Sequence, residues 1–147
     1  MSRVFFGAAS PRWAALTLSL AGLYNILWGA AVIGAPNFFF DITGLERPNY
    51  PEIWQCVGMI VGVYGVGYLL AARNPLRHWP IVAVGLLGKV LGPIGFVKAL
   101  IDGRFSASFG LILVFNDLLW WVPFAAILAA ARRRHEECRR RGSSVSI

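Results

Sequence analysis

Four long runs of apolar residues, separated by short polar segments, dominate the chain. They cover residues 13–34, 53–72, 79–101 and 109–131. About 20 apolar residues in an α-helix cross a hydrocarbon core of ~30 Å, whereas an open strand would leave backbone amides without partners in lipid. The pattern therefore predicts an all-α integral membrane protein, built as a four-helix bundle of antiparallel helical hairpins.

The composition points the same way. Hydrophobic residues make up 57% and charged residues 14% of the chain, against roughly 45–50% and about 25% in soluble domains. A soluble chain this short could not bury so much apolar surface, so lipid is the second solvent that it requires. A cleaved signal peptide is disfavoured, because the first run exceeds the apolar core of ~7–15 residues that such peptides carry.

Charged residues lie mainly between and beyond the runs, and basic segments alternate with acidic or neutral ones. Arginines precede the first run, separate the second from the third, and follow the fourth (Arg3, Arg12, Arg73, Arg77, Arg132, Arg133, Arg134, Arg139, Arg140, Arg141). The segment between the first two runs carries three acids and one arginine, and residues 102–108 carry one charge of each sign. Since Lys and Arg concentrate in cytoplasmic loops, we expect both termini on the cytoplasmic side of a bacterial inner membrane.

The same boundaries divide the chain into three parts. Residues 1–12 form a cytoplasmic N-terminal arm, residues 13–131 the transmembrane domain, and residues 132–147 a basic cytoplasmic tail. The net charge of +7 would suit nucleic acid, but the arginines sit at segment edges, where membrane proteins contact anionic lipids. We therefore expect partners in the bilayer, namely anionic lipids and a membrane protein or a second copy, and no nucleic acid.

Several polar side chains interrupt the runs at membrane depth. They are Tyr24, Asn25, Tyr64, Lys89, Asn116 and Asp117. At ~1.5 Å per helical residue, Lys89 lies ~15 Å, Asn25 ~18 Å and Asp117 ~21 Å from the cytoplasmic ends of their helices. A lysine side chain spans such an offset, so one layer can hold these three residues with Tyr24 and Asn116.

Two interpretations of this layer stay open. An unpaired charge at the bilayer centre costs at least ~2.5–3.5 kcal/mol, so Lys89 and Asp117 are expected to face inward and pair. The pair then either fixes which helices meet or forms a proton or ligand site, because ionisable residues inside membranes often mark function.

A second polar cluster lies at the outer end of the second run. It comprises Glu52, Trp54, Gln55 and Cys56. These residues either line an entrance from the outer face or anchor the helix at the membrane interface. The preceding segment 35–52, with three successive phenylalanines, is interpreted as a turn on the membrane surface or, as the alternative, a lid over a binding site.

Glycines are expected at the helix contacts, because small residues let backbones approach where lipid competes equally for apolar side chains. They form stripes on the first, second and third runs (Gly22, Gly29; Gly58, Gly62, Gly65; Gly85, Gly88, Gly92, Gly95). Pro93 and Pro123 each remove a backbone hydrogen bond inside a run. The stripes predict tight packing of all four helices.

Several chemistries find no matching residues, and we expect no catalytic residue and no metal site. His78 and His135 fall on the cytoplasmic side, so two axial haem ligands within the membrane are excluded. The two cysteines, Cys56 and Cys138, form no CxxC pair and lie on opposite sides. No GxSxG, HExxH or P-loop occurs. Trp120 and Trp121 sit too deep for an interfacial belt, and either fill a core or stack on a flat ligand such as a quinone ring.

Four segments carry a resemblance to a known family: YNILWGA, NYPEIWQCVGMIVGVYGVGYL, RHWPIVAVGLLGKVLGPIGF and NDLLWWVPF. Over roughly residues 20–128 the chain resembles a family of small bacterial four-span proteins, some of which are labelled alkyl hydroperoxide reductase. The chain has no peroxidatic cysteine motif to support that activity. In size and topology it is also similar to the DoxX-like membrane proteins, which implies a link to quinone and thiol redox chemistry.

Three functions follow as hypotheses. The first is a non-enzymatic inner-membrane component or accessory subunit, in which the polar layer is structural. The second is a small proton-linked transporter that uses the Lys89–Asp117 pair. The third is a redox accessory protein that presents a quinone to a partner enzyme; apart from quinone, we expect no cofactor.

Overall fold

The computed structural model describes residues 10–143, and within that range the chain is helical with no strand. The helices are α1 (Arg12–Gly34), the short α2 (Phe38–Thr43), α3 (Pro51–Ala72) and α4 (Trp79–Ile101). The last part of the chain is one continuous helical run with changes of pitch. A 3₁₀ turn (Ala107–Phe109) leads into α5 (Gly110–Leu113), a π turn (Val114–Leu118) and α6 (Leu119–Ser143).

Four helical stretches are long and apolar enough to cross a membrane: Arg12–Gly34, Pro51–Ala72, Trp79–Ile101 and Ala107–Arg141. Each predicted run lies within one of them. The fourth run was predicted to end at residue 131, but the helix continues for another twelve residues. Arginine and glutamate are good helix formers, so the basic segment extends the helix. The prediction for Arg3 lies outside the described residues.

The segment 35–52 contains more structure than a surface turn. Phe38–Thr43 form α2, which ends at Gly44 in the left-handed conformation with φ of 70°. A residue with a Cβ rarely adopts that conformation, so glycine permits the stop. The aromatic rings of α2 pack onto the ends of the long helices. The ring centroids of Phe39 and Trp28 are 5.6 Å apart, and those of Phe40 and Trp54 are 5.4 Å apart.

Glycines bring α1 and α3 together, as their spacing predicted. A Cβ added at Gly22 would lie 2.8 Å from the carbonyl oxygen of Gly65, and one at Gly58 would lie 3.0 Å from that of Gly29. Gly22 meets Gly65 and Gly29 meets Gly58. Residue numbers therefore rise along α1 as they fall along α3, so the two helices are antiparallel. This is the most extensive helix contact in the structure.

The remaining contacts between long helices involve α4 and α6. α4 packs against α6 and the π turn, α3 touches α4 over a shorter length, and α1 reaches α6. The central core contains eleven buried residues from these helices and the turn between α3 and α4: Ala14, Leu18, Ala21, Tyr68, Ala71, Leu76, Val82, Trp120, Phe124, Ile127 and Ala131. Most other large apolar side chains are exposed, as in a chain whose surroundings are themselves apolar.

Candidate functional site: a polar cleft between α3 and α4

A π turn at residues 114–118 positions the acidic part of the site. A π turn widens the helix by one residue and occurs often at functional sites. Asp117 is 8% exposed as a residue and directs its carboxylate towards α4. Its neighbour Asn116 donates a hydrogen bond of 3.1 Å from Nδ2 to Asp117 Oδ1.

Lys89 of α4 supplies the basic part. Its ammonium donates a hydrogen bond to the main-chain carbonyl of Asn116 and lies 3.9 Å from Asp117 Oδ1. The side chains of the two charged residues are only 6% and 11% exposed. A direct charge-assisted hydrogen bond measures ~2.7–2.9 Å, so the two charges are neighbours without sharing a short bond.

Five of the six candidate polar residues line one cavity, and Tyr24 does not. Asn25 of α1 is 2% exposed and lines the same cavity as Lys89, Asn116 and Asp117. Tyr64 of α3 also lines it. Tyr24 instead packs its ring against Trp120, with centroids 5.9 Å apart.

A cavity of about 270 Å³ lies beside the charged pair. It is bounded by α3 and α4 and backed by α1 and the π turn. Its lining residues are Asn25, Val57, Ile60, Val61, Tyr64, Tyr68, Gly85, Gly88, Lys89, Gly92, Asn116 and Asp117. Ile60, which is 58% exposed, and Gly88, also exposed, form its rim, so the cavity opens sideways between the helices. We call it the α3–α4 cleft.

The glycines of α4 explain why the cleft is open. The sequence predicted that all four would be helix contacts, and this is right for Gly85, which lies against the ring of Tyr68. It is wrong for Gly88 and Gly95, where an added Cβ would meet nothing within 4 Å. A glycine permits close approach without enforcing it, and here the missing side chains leave space beside Lys89.

Trp120 and Trp121 belong to the helix contacts. Trp120 Nε1 donates to the carbonyl of Phe115 at 3.2 Å, and Trp121 Nε1 donates to the carbonyl of Lys89 at 3.0 Å. Neither residue is among those that line the cleft. The structure therefore uses both rings in packing, one of the two roles that the sequence left open.

The predicted outer entrance residues lie at the start of α3, away from the cleft lining. Gln55 Nε2 donates to the carbonyl of Ile33 at 2.8 Å, which ties α3 to α1. Trp54 packs edge-on against Trp28 with centroids 5.7 Å apart. Glu52 and Cys56 are exposed. This arrangement matches the anchoring interpretation of the cluster more closely than an entrance.

Aromatic rings close this end of the helices. Phe109 packs on Phe40 and Phe96, with centroids 6.5 and 6.3 Å apart. Ser108 Oγ donates to the carbonyl of Thr43 at 2.9 Å and so joins the loop before α5 to α2. The side opening of the cleft is therefore its visible route of access.

Metal and thiol chemistry finds no assembled site among residues 10–143. No group of three or more His, Cys, Asp or Glu there is arranged to hold a metal ion. Cys56 and Cys138 are both free thiols. The polar groups of the cleft can instead hold a small organic molecule by hydrogen bonds and apolar contacts.

Sequence reasoning missed the apolar half of the site. The missed residues are Val57, Ile60, Val61 and Tyr68, which lie on one face of α3 with Tyr64, the one residue of this face that the sequence predicted. Such a face is equally consistent with helix packing, and only the neighbouring open glycines of α4 turn it into a cavity wall.

Comparisons with known proteins were made at three levels, and no protein-family model, curated protein or solved structure matches the chain.

Proposed function

We propose that this chain is a non-enzymatic, multi-pass protein of the bacterial inner membrane that binds a small lipid-soluble molecule in the α3–α4 cleft. One observation carries the proposal: a cavity of about 270 Å³ opens sideways beside a buried lysine–aspartate pair. Molecules dissolved in lipid would reach this opening without entering water. We also propose that the chain belongs to the family of small bacterial four-span proteins that its segments YNILWGA, NYPEIWQCVGMIVGVYGVGYL, RHWPIVAVGLLGKVLGPIGF and NDLLWWVPF resemble.

The geometry favours binding over a purely structural role for the pair. Residues that only hold helices together are expected to be enclosed by close packing. Here a cavity adjoins one side of the pair, and Gly88 and Gly92, which have no side chains to fill it, are among its lining residues. The cleft also combines an apolar wall with a few convergent polar groups, which is the usual make-up of a small-molecule site.

We further propose a four-helix bundle in the bilayer with both termini in the cytoplasm. The Ala107–Arg141 stretch has 35 residues, which makes ~52 Å at 1.5 Å per residue and exceeds a hydrocarbon core of ~30 Å. The excess supports a position of the basic end of α6 beyond the hydrocarbon core, where it would meet the anionic lipids of the cytoplasmic leaflet.

A groove of about 350 Å³ at this end supports the lipid contact. It is lined by Trp79, Ala83, Leu128, Ala131, Arg132 and His135. Its wall suits an acyl chain. Arg132 donates from Nε to Glu136 at 3.1 Å, and its other guanidinium N–H groups could bind a phosphate. Anionic lipid should raise the melting temperature of the wild type more than zwitterionic lipid does, and Arg132→Gln should reduce that difference.

The binding function is tested by filling the cleft. A Cβ at position 88 meets no atom within 4 Å, and Gly88 lines the cavity, so we expect the side chain of Gly88→Leu to fill part of it. Gly95→Leu is the matched control, because position 95 is equally open but does not line the cleft. The wild type and both variants are purified from native membranes, and the small molecules extracted from each protein are compared by mass spectrometry.

A molecule retained by the wild type and Gly95→Leu but lost from Gly88→Leu is the expected result. Identical extracts from all three proteins would contradict binding in the cleft.

A proton-linked carrier is the second candidate. Lys89 Nζ and Asp117 Oδ1 lie 3.9 Å apart without a direct hydrogen bond, so a small movement of either side chain would let a proton pass between them. Proteoliposomes would then show substrate flux under a proton gradient that Asp117→Asn abolishes. Absence of flux under every gradient would remove this candidate. The quinone-presenting role gains nothing from the two tryptophans, since neither lines the cleft.

A further inference from the structure

Among the described residues that line the α3–α4 cleft, the buried side-chain atoms without a hydrogen-bond partner are both oxygens. Asn25 and Asn116 both line the cavity, and each has a buried side-chain oxygen that receives no hydrogen bond from the described residues. Asp117 adds a carboxylate, of which only Oδ1 receives a hydrogen bond, from Asn116. A buried acceptor without a donor is unfavourable, so a donor that reaches this layer gains more than an ordinary hydrogen bond.

The orientation of the Asn116 amide is fixed by its neighbour. Its Nδ2 donates to Asp117 Oδ1 at 3.1 Å. The reversed amide would place an oxygen against the carboxylate, and a carboxylate has no proton to donate. Asn116 Oδ1 therefore stays an acceptor, and the amide does not turn over to suit a different ligand.

The charged donor of the cleft is the Lys89 ammonium, and acceptors of the protein compete with a ligand for its three N–H groups. Lys89 Nζ donates to the main-chain carbonyl of Asn116 and faces Asp117 at 3.9 Å. The hydroxyl of Tyr64 can donate or accept and so does not discriminate between ligands. The charges of Lys89 and Asp117 also cancel, so the site offers no net attraction to an ion at this depth.

The size of the cleft limits the ligand. A dry cavity of ~150 Å³ holds a benzene molecule, and this cleft has about 270 Å³. One ring with a small polar head therefore fits, while an attached apolar tail can leave through the side opening along Ile60.

We propose that the cleft selects uncharged, lipid-soluble molecules whose head group donates a hydrogen bond, such as a phenol or an alcohol, over molecules of the same shape that only accept. This selection rests on the proposed function, because it describes the ligand of the same cleft. Asn25, Asn116 and Asp117 supply the acceptors, and α3 supplies the apolar wall.

The test uses two probes that differ only in the head group. The phenol para-hexylphenol donates a hydrogen bond, and its methyl ether para-hexylanisole only accepts. Binding is measured as the probe retained by protein in lipid nanodiscs above that retained by Gly88→Leu nanodiscs, which removes partition into the bilayer. The phenol should bind about tenfold more tightly than the ether.

A second variant separates recognition from folding. Asn25→Leu keeps the side-chain shape but removes the unpaired oxygen, so binding of the phenol should weaken while binding of the ether stays unchanged. A loss of both probes in Asn25→Leu would show a merely structural role for Asn25 and contradict its part in selection.

The outcomes distinguish this inference from the proposed function. Equal binding of the two probes, lost in Gly88→Leu, would leave the cleft as a binding site but overturn its selection of donors. If neither probe binds the wild type more than Gly88→Leu, both proposals fail together.

Discussion

The indole Nε1 of Trp121 donates a hydrogen bond of 3.0 Å to the main-chain carbonyl of Lys89. In an uninterrupted α-helix that carbonyl would accept from the residue four positions later. Here that residue is Pro93, which has no N–H. Trp121 therefore supplies from the neighbouring helix the donor that Pro93 removes, and it holds α4 in place next to the cleft.

Loss of the Trp121 donor should destabilise the protein, and restoring an N–H at position 93 should compensate. Trp121→Phe leaves the Lys89 carbonyl unpaired, at an expected cost of ~1–3 kcal/mol. Pro93→Ala in the same chain gives that carbonyl its helical donor again and should recover part of the loss. The measurement is unfolding in detergent followed by circular dichroism.

Trp13→Phe is the control for this pair, because Trp13 is 45% exposed. It should leave stability unchanged. If the double variant is no more stable than Trp121→Phe alone, the proposed exchange of donors is wrong.

The contributions of Lys89 and Asp117 to the stability of the protein should depend on each other. Lys89→Met and Asp117→Asn each remove one charge and leave the other buried, and breaking a buried pair costs ~3–5 kcal/mol. The variant with both substitutions should lose less than the sum of the two single losses, because neither charge then lacks a partner. Stability in detergent measures all three, and single variants as stable as the wild type would refute the pairing.

Two glycines on α3 provide a matched test of the α1–α3 contact. A Cβ at Gly65 would lie 2.7 Å from the carbonyl of Gly22, whereas a Cβ at Gly62 meets nothing within 4 Å. Gly65→Ala should therefore destabilise the protein by ~1–3 kcal/mol through overpacking. Gly62→Ala should have little effect. Similar melting temperatures for the two variants would contradict this contact.

The ion pair between Asp41 of α2 and Arg47 should make the 35–52 segment slightly less stable in acid. Arg47 donates to both carboxylate oxygens of Asp41, at 2.8 and 3.0 Å, and these hydrogen bonds lower the pKa of Asp41 below its ordinary value. A lowered carboxyl pKa stabilises the folded loop above the ordinary pKa of about 4, and that stabilisation is lost as the pH falls through the lower, folded value.

Protease susceptibility of the 35–52 segment measures this effect between about pH 5 and 2, with an acid-active protease. The wild type should be cleaved more readily as the pH falls, and Asp41→Asn should be cleaved at a rate less dependent on pH. An equal pH dependence in the two proteins would show that another group titrates.

Much of the helical framework follows from local sequence. The length of each apolar run is a property of the run itself, and the rise per residue placed Lys89, Asn25 and Asp117 at similar depths. The glycine stripes predicted helix contacts at Gly22 and Gly65, but they did not predict which helices meet.

The features that form the cleft depend on contacts between helices and were not predicted. No local pattern marks residues 114–118 as a π turn, although this turn positions Asp117. The open space at Gly88 reflects the short contact between α3 and α4, which a stripe of small residues cannot reveal. α2 was missed because its six residues gain their stability from rings on other helices, such as Trp28 and Trp54.

The central claim is that the polar cleft is reached sideways from lipid, and Gly88 gives the most direct measurement. A nitroxide is attached at Gly88→Cys in a chain whose own Cys56 and Cys138 are replaced by alanine, and the protein is placed in nanodiscs. The open space at position 88 accepts the label. We predict fast relaxation by oxygen, which dissolves in lipid, and slow relaxation by a water-soluble nickel chelate. Relaxation mainly by nickel, or by neither reagent, would contradict the account.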